Sequence, residues 1–119
     1  MKNLHLPLKT KWFEMTKQRI KHEDYREINE YWINRLLEYW NGVKIGNDNA
    51  TNIIDNLKCG TIVVKHFDIN ILTLGYPKLT DYERILKLEH KGIEIRTGNP
   101  EWGAEPDKLY LVIKHGEFI

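Results

Sequence analysis

The chain has 119 residues, 41% hydrophobic and 29% charged, with a formal net charge of +1. These values describe one compact, water-soluble domain over 1–119 and exclude a two-domain protein and a disordered chain. The near-neutral charge also excludes a generally basic nucleic-acid binder, so any nucleic-acid site must be a local patch.

The first residues, Met1 to Pro7, lack the apolar core of a signal peptide. Leu4-His5-Leu6-Pro7-Leu8 alternates and predicts a short strand, with Pro7 marking a sheet edge or a strand end. Thr10 is the expected N-cap of a helix whose apolar positions are Trp12, Met15 or Thr16, and Ile20. Lys21 to Ile28 reads as a junction and a second strand. Asn29 caps a second predicted helix with the stripe Trp32, Ile33, Leu36, Leu37 and Trp40, stopped by Gly42. Residues 46–52 form a polar turn-rich loop, and Ile53 to Cys59 a short helix ending at Gly60. Cys59 is the single cysteine, which excludes an intrachain disulfide and a cysteine-based zinc site and fits a reducing, cytoplasmic setting. Thr61 to Leu74 is strongly β-prone, as one bent strand or two. Arg84 to Glu89 follows as a strand, Lys91-Gly92 as a turn, and Ile93 and Ile95 as further β structure. Residues 98–106 are a Gly/Pro-rich loop, and Leu109 to Lys114 is the last strand. Two or three helices with five or six strands predict a small α+β domain built on a curved sheet or barrel. No apolar run has the length to span a membrane.

Lys21, Asp24 and Arg26 form the densest charged cluster. Side chains alternate along a strand, so Asp24 and Arg26 point the same way, and Lys21 at the junction can swing toward them. The bland reading is a solvated surface ion pair of ~0–1 kcal/mol. The functional reading is a ligand site. Arg26 offers a planar fork for a phosphate or a carbonyl edge. Lys21 offers a point charge, or an amine nucleophile or base when desolvated. Asp24 orients both, or acts as a general base when buried.

The stretch Arg19-x-Lys21-x-x-Asp24-x-Arg26 resembles the Gly-x-Lys-x-x-Glu-x-Arg signature of ASCH domains, a branch of the PUA-like β-barrel superfamily. Tyr25-Arg26-Glu27-Ile28, the following tryptophan-bearing helix, Gly75-Tyr76, Lys91-Gly92-Ile93 and residues 98–104 are similar in order to small stand-alone phage and bacterial members. The chain departs at Arg19, where the signature has glycine, which suggests a longer helix. It departs again at Asp24, where the signature has Glu and amidohydrolase relatives carry a hydroxyl residue. The resemblance implies a cleft beside the barrel that binds RNA, a nucleotide or a modified nucleoside. Relatives include enzymes that cleave RNA or deacylate a modified pyrimidine nucleoside. Lys21, Asp24 and Arg26 would then line the cleft, with Lys21 and Asp24 as catalytic residues in an enzyme.

Trp12, Trp32 and Trp40 sit at helical spacing and read as core. Trp102 lies in a loop, where it either caps the cleft and stacks a base or plugs the barrel, with Glu101 beside it as a second acid or base. Tyr76 is a rim contact or a core residue. The five histidines show no ligand spacing, so no metal and no cofactor is expected, and His22 alone lies near the cluster. The expected function is binding of RNA or a nucleotide or modified nucleoside. The alternatives are a small hydrolase in the same cleft, acting on N-acylated cytidine or on RNA, and a phage-encoded protein whose partner is a host protein.

Overall fold

The computed structural model describes residues 2–119; Met1, the start of the stretch read above as no signal peptide, lies outside them. In chain order the elements are β1 (Asn3–Leu8), α1 (Thr10–Lys17), β2 (Glu23–Arg26), α2 (Glu30–Leu36), β3 (Leu37–Tyr39) and α3 (Ala50–Cys59). They continue with β4 (Ile62–Val64), β5 (Ile69–Leu74), a 3-10 turn (Tyr82–Arg84), β6 (Ile85–Thr97), a second 3-10 turn (Pro100–Trp102) and β7 (Leu109–Phe118). The class is α+β: a five-stranded mixed sheet, ordered β1-β5-β6-β7-β2 and curled into a half-barrel, and a separate two-stranded sheet of β3 and β4. No helix among the described residues is long and apolar enough to cross a membrane.

The chain's contacts fall into two compact units. The first comprises Met1–Asp24, His66–Gly92 and Ile113–Ile119. Here β1 runs parallel to β5, with Leu4 opposite Asn70 and Leu6 opposite Leu72, and β5 pairs antiparallel with β6. Period-two alternation turns Leu4, Leu6, Asn70, Leu72 and Leu88 to the buried side, with Phe13 and Thr16 of α1 also buried. The second unit comprises Tyr25–Lys65 and Ile93–Val112. Its core includes Ile33 and Leu36 of α2, Leu37, Ile53 of α3, Ile62 and Tyr110 to Val112.

The β-prone run from Thr61, read as one bent strand or two, is two strands, and they lie in different sheets: β4 pairs antiparallel with β3 while β5 pairs with β1 and β6. Other expectations are corrected. The second helix stops at Leu36, and Leu37 is extended at φ −127°. The apolar residues beyond it serve a strand, and Trp40, read as core, is 71% exposed. Lys91-Gly92 is no chain-reversing turn; β6 runs through it for 13 residues, with Gly92 at φ +113°, a conformation glycine tolerates. Thr10 is the first residue of α1 and Lys9 its N-cap, without a side-chain cap bond.

Candidate functional site

The end of α1 delivers Lys21. The helix is capped at Gln18, and Arg19 takes the left-handed conformation at φ +62°. Arg19 N–H donates to Thr16 O at 3.0 Å and Ile20 N–H to Met15 O at 2.9 Å, the paired bonds of a Schellman cap. Lys21 N–H also donates to Met15 O, at 3.2 Å. The helix therefore does not continue through Arg19. Arginine occupies a left-handed backbone well that glycine fills more readily, and the turn aims the chain from α1 into β2.

Lys21 and Asp24 are buried, with side chains only 2% and 4% exposed. Lys21 Nζ donates to Asp24 Oδ1 and, at 2.7 Å, to the carbonyl of Glu23. His115, whose side chain is 1% exposed, donates from Nε2 to Asp24 Oδ2 at 2.5 Å. His115 N–H donates to His22 O at 3.0 Å, which fixes the end of β7 beside the junction. Behind His115 lies Asn70, whose amide contacts His115 Nδ1 at 2.7 Å, Lys114 O at 3.2 Å and His90 Nδ1 at 2.7 Å. Burial by itself would raise the Asp24 carboxyl. The His115 hydrogen bond and the Lys21 charge outweigh it and hold the group ionised, well below the usual carboxylate range. Burial, the largest cause, pushes the His90 imidazole down to about 4.

This chain borders a hollow of about 70 Å³ lined by Thr16, Arg19, Lys21, His22, His115 and residues 116–118 among others. Arg19 pairs with Glu117 at 3.3 Å on the exposed rim, and its guanidinium lies 5.0 Å from the Phe118 ring centre. Tyr76 is elsewhere in the first unit. It is 93% exposed and lines a larger apolar hollow with Pro7, Ile71, Leu79 and Tyr82, sharing no lining residue with the Lys21 hollow.

Arg26, Glu101 and Trp102 belong to the second unit. The Arg26 guanidinium lies 4.8 Å from the Trp32 ring centre, and Arg35 reaches the same ring at 5.7 Å. Glu101 is exposed, with its N–H bonded to Asn99 Oδ1 at 3.0 Å, and Trp102 is half-buried in the same 3-10 turn. Tyr25 anchors that loop: its hydroxyl accepts from Asn99 N–H at 2.8 Å, and its ring sits where any Cβ on Gly98 would come within 2.6 Å.

Sequence reasoning missed His115, Asn70 and His90. Asp24 and His115 are 91 residues apart, and no local spacing links them. Asn70 did leave a trace: it is the one polar residue among Ile69, Ile71 and Leu72, and it shares Leu72's face, so alternation turns an amide inward. Among the described residues no group of three or more His, Cys, Asp or Glu side chains gathers as a metal ion would require. No family model, no curated protein and no solved structure matches the chain.

Proposed function

We propose that this chain is an ASCH-like domain that binds a nucleotide, a modified nucleoside or one unit of a short RNA at the hollow beside Lys21. The observation that carries this reading is the buried Lys21–Asp24–His115 constellation on the wall of a hollow with Arg19 and His22 also in its lining. Burying an ion pair is costly, and well-packed apolar residues often stabilise a core as well or better. A buried pair with a strongly perturbed carboxyl beside a hollow therefore favours a ligand role over a structural one. The left-handed Arg19 supports the alignment with the signature, because the backbone there does what glycine would do. The hollow's size suits one polar group of a ligand, with the remainder lying along the rim.

A second reading, a hydrolase at the same place, is favoured by one feature. A single ionised carboxylate holds an amine on one oxygen and an imidazole on the other, the parts needed for polarising a carbonyl and moving a proton. The test is a thermal-shift screen against cytidine, N4-acetylcytidine, cytidine 5′-monophosphate and a short RNA, repeated with Arg19→Gln and His115→Gln. Binding predicts a melting-temperature rise that shrinks in both variants. No rise with any probe in the wild type defeats the binding reading for these ligands. Turnover of N4-acetylcytidine or labelled RNA, lost in His115→Gln, replaces pure binding by hydrolysis.

A further inference from the structure

Asn70 is fully buried, and its three contacts determine where the protons of the cluster sit. A backbone carbonyl only accepts, so the amide nitrogen faces Lys114 O, at 3.2 Å. The same nitrogen faces His115 Nδ1 at 2.7 Å, and its second hydrogen is donated there. His115 Nδ1 is therefore an acceptor without a proton. The ring's single proton lies on Nε2, where it is donated to Asp24 Oδ2. On the other side Asn70 Oδ1 can only accept, so His90 carries its proton on Nδ1, at 2.7 Å. From His90 to Lys21, each donor then meets an acceptor.

We propose that Asn70, braced by His90 and the Lys114 carbonyl, is a positioning residue that keeps His115 uncharged with its proton on Nε2, so that the hollow receives an uncharged carbonyl or amide group in preference to a phosphate. With His115 neutral, the cluster holds one cation, Lys21, against one anion, Asp24. At the rim Arg19 and Glu117 cancel in the same way. A doubly protonated His115 would leave the cluster cationic and suited to phosphate. The ligand half of this proposal rests on the binding reading above; the assignment of Asn70 does not.

The experiment has two arms. The first is imidazole nitrogen NMR of the wild type at pH 7. It should show His115 with one proton, on Nε2, and Asn70→Asp should add a second proton on Nδ1, because a carboxylate cannot donate. A wild-type ring protonated on Nδ1, singly or doubly, overturns the proposal without need of any variant. The second arm compares cytidine with inorganic phosphate at pH 8 by melting-temperature shift. Cytidine should bind at least tenfold more tightly. Phosphate binding as well as cytidine, and lost in His115→Gln, overturns the ligand half. If neither probe binds, the ligand half falls, the binding reading is decided by the four-probe screen above, and the ring spectrum still decides the role of Asn70.

Discussion

Lys21 and Asp24 depend on each other because both are buried. Removing the cation alone strands a carboxylate whose side chain is 4% exposed. Lys21→Met should cost about 3–5 kcal/mol in urea unfolding, and adding Asp24→Asn should recover much of that loss by removing the buried charge. Equal destabilisation by the single and double variants would mean that the pair is not coupled. His90 gives a pH signature. Its folded pKa, about 4, lies below the ordinary imidazole value of 6.5. The unfolded chain therefore takes up a proton first as pH falls, so stability is fully present above about 6.5 and is lost progressively down to about 4. After discounting for a half-buried ring, the loss should be about 1–2 kcal/mol, and His90→Gln should flatten that slope. Asp24 acts at lower pH: its stabilisation is present above its ordinary value of 3.8 and fades only as pH falls toward its depressed folded value.

The end of α1 is the element on which the site turns. A left-handed arginine costs roughly 1 kcal/mol relative to glycine, while its exposed bridge to Glu117 returns little. Arg19→Gly and Arg19→Ala remove the same side-chain contacts but differ in backbone strain. The glycine variant should be the more stable by about 1 kcal/mol, read from denaturant midpoints. Equal stabilities would show that the turn is not strained. The resemblance noted in the sequence set Arg19 opposite a glycine, yet arginine's steric preference pointed to a longer helix. The two paired cap bonds, from Arg19 and Ile20 N–H, accompany the opposite outcome. The stop of α2 at Leu36 was hidden for a related reason. Leu37, Trp40 and their neighbours fit a helical stripe equally well, and only the pairing of Leu37 with Val64 makes them a strand.

At the scale of the whole chain, the net charge of +1 bears on what it binds. A protein tracking several phosphates loses affinity steeply as salt rises, with a slope near −0.7 per phosphate for single strands. Two internally cancelled ion pairs around the Lys21 hollow predict the reverse. Cytidine affinity should change less than about twofold between about 50 and about 200 mM salt. A steep decline for the short RNA, which carries phosphates, would indicate a basic surface outside this hollow. The apolar hollow beside Tyr76 provides a control within the same unit, because substitutions there, such as Tyr76→Ser, touch none of the Lys21 hollow's lining.

The α+β class, the edge strand near Pro7, the helix ending at Gly60 and the joint placement of Lys21 and Asp24 at the head of a strand were all legible in the sequence. Each depends on local stereochemistry: turn residues, β-branched runs, and the reach of side chains three positions apart. The sequence could not say that Asp24 is shared by Lys21 and a histidine 91 residues away, or that Asn70 stands behind that histidine. Such contacts exist only once β5 and β7 are folded, because strand pairing sets which distant residues meet. Burial then does what spacing cannot. By withdrawing water from an otherwise ordinary charged cluster, it turns Lys21, Asp24 and His115 into groups whose protons and charges are fixed by one another.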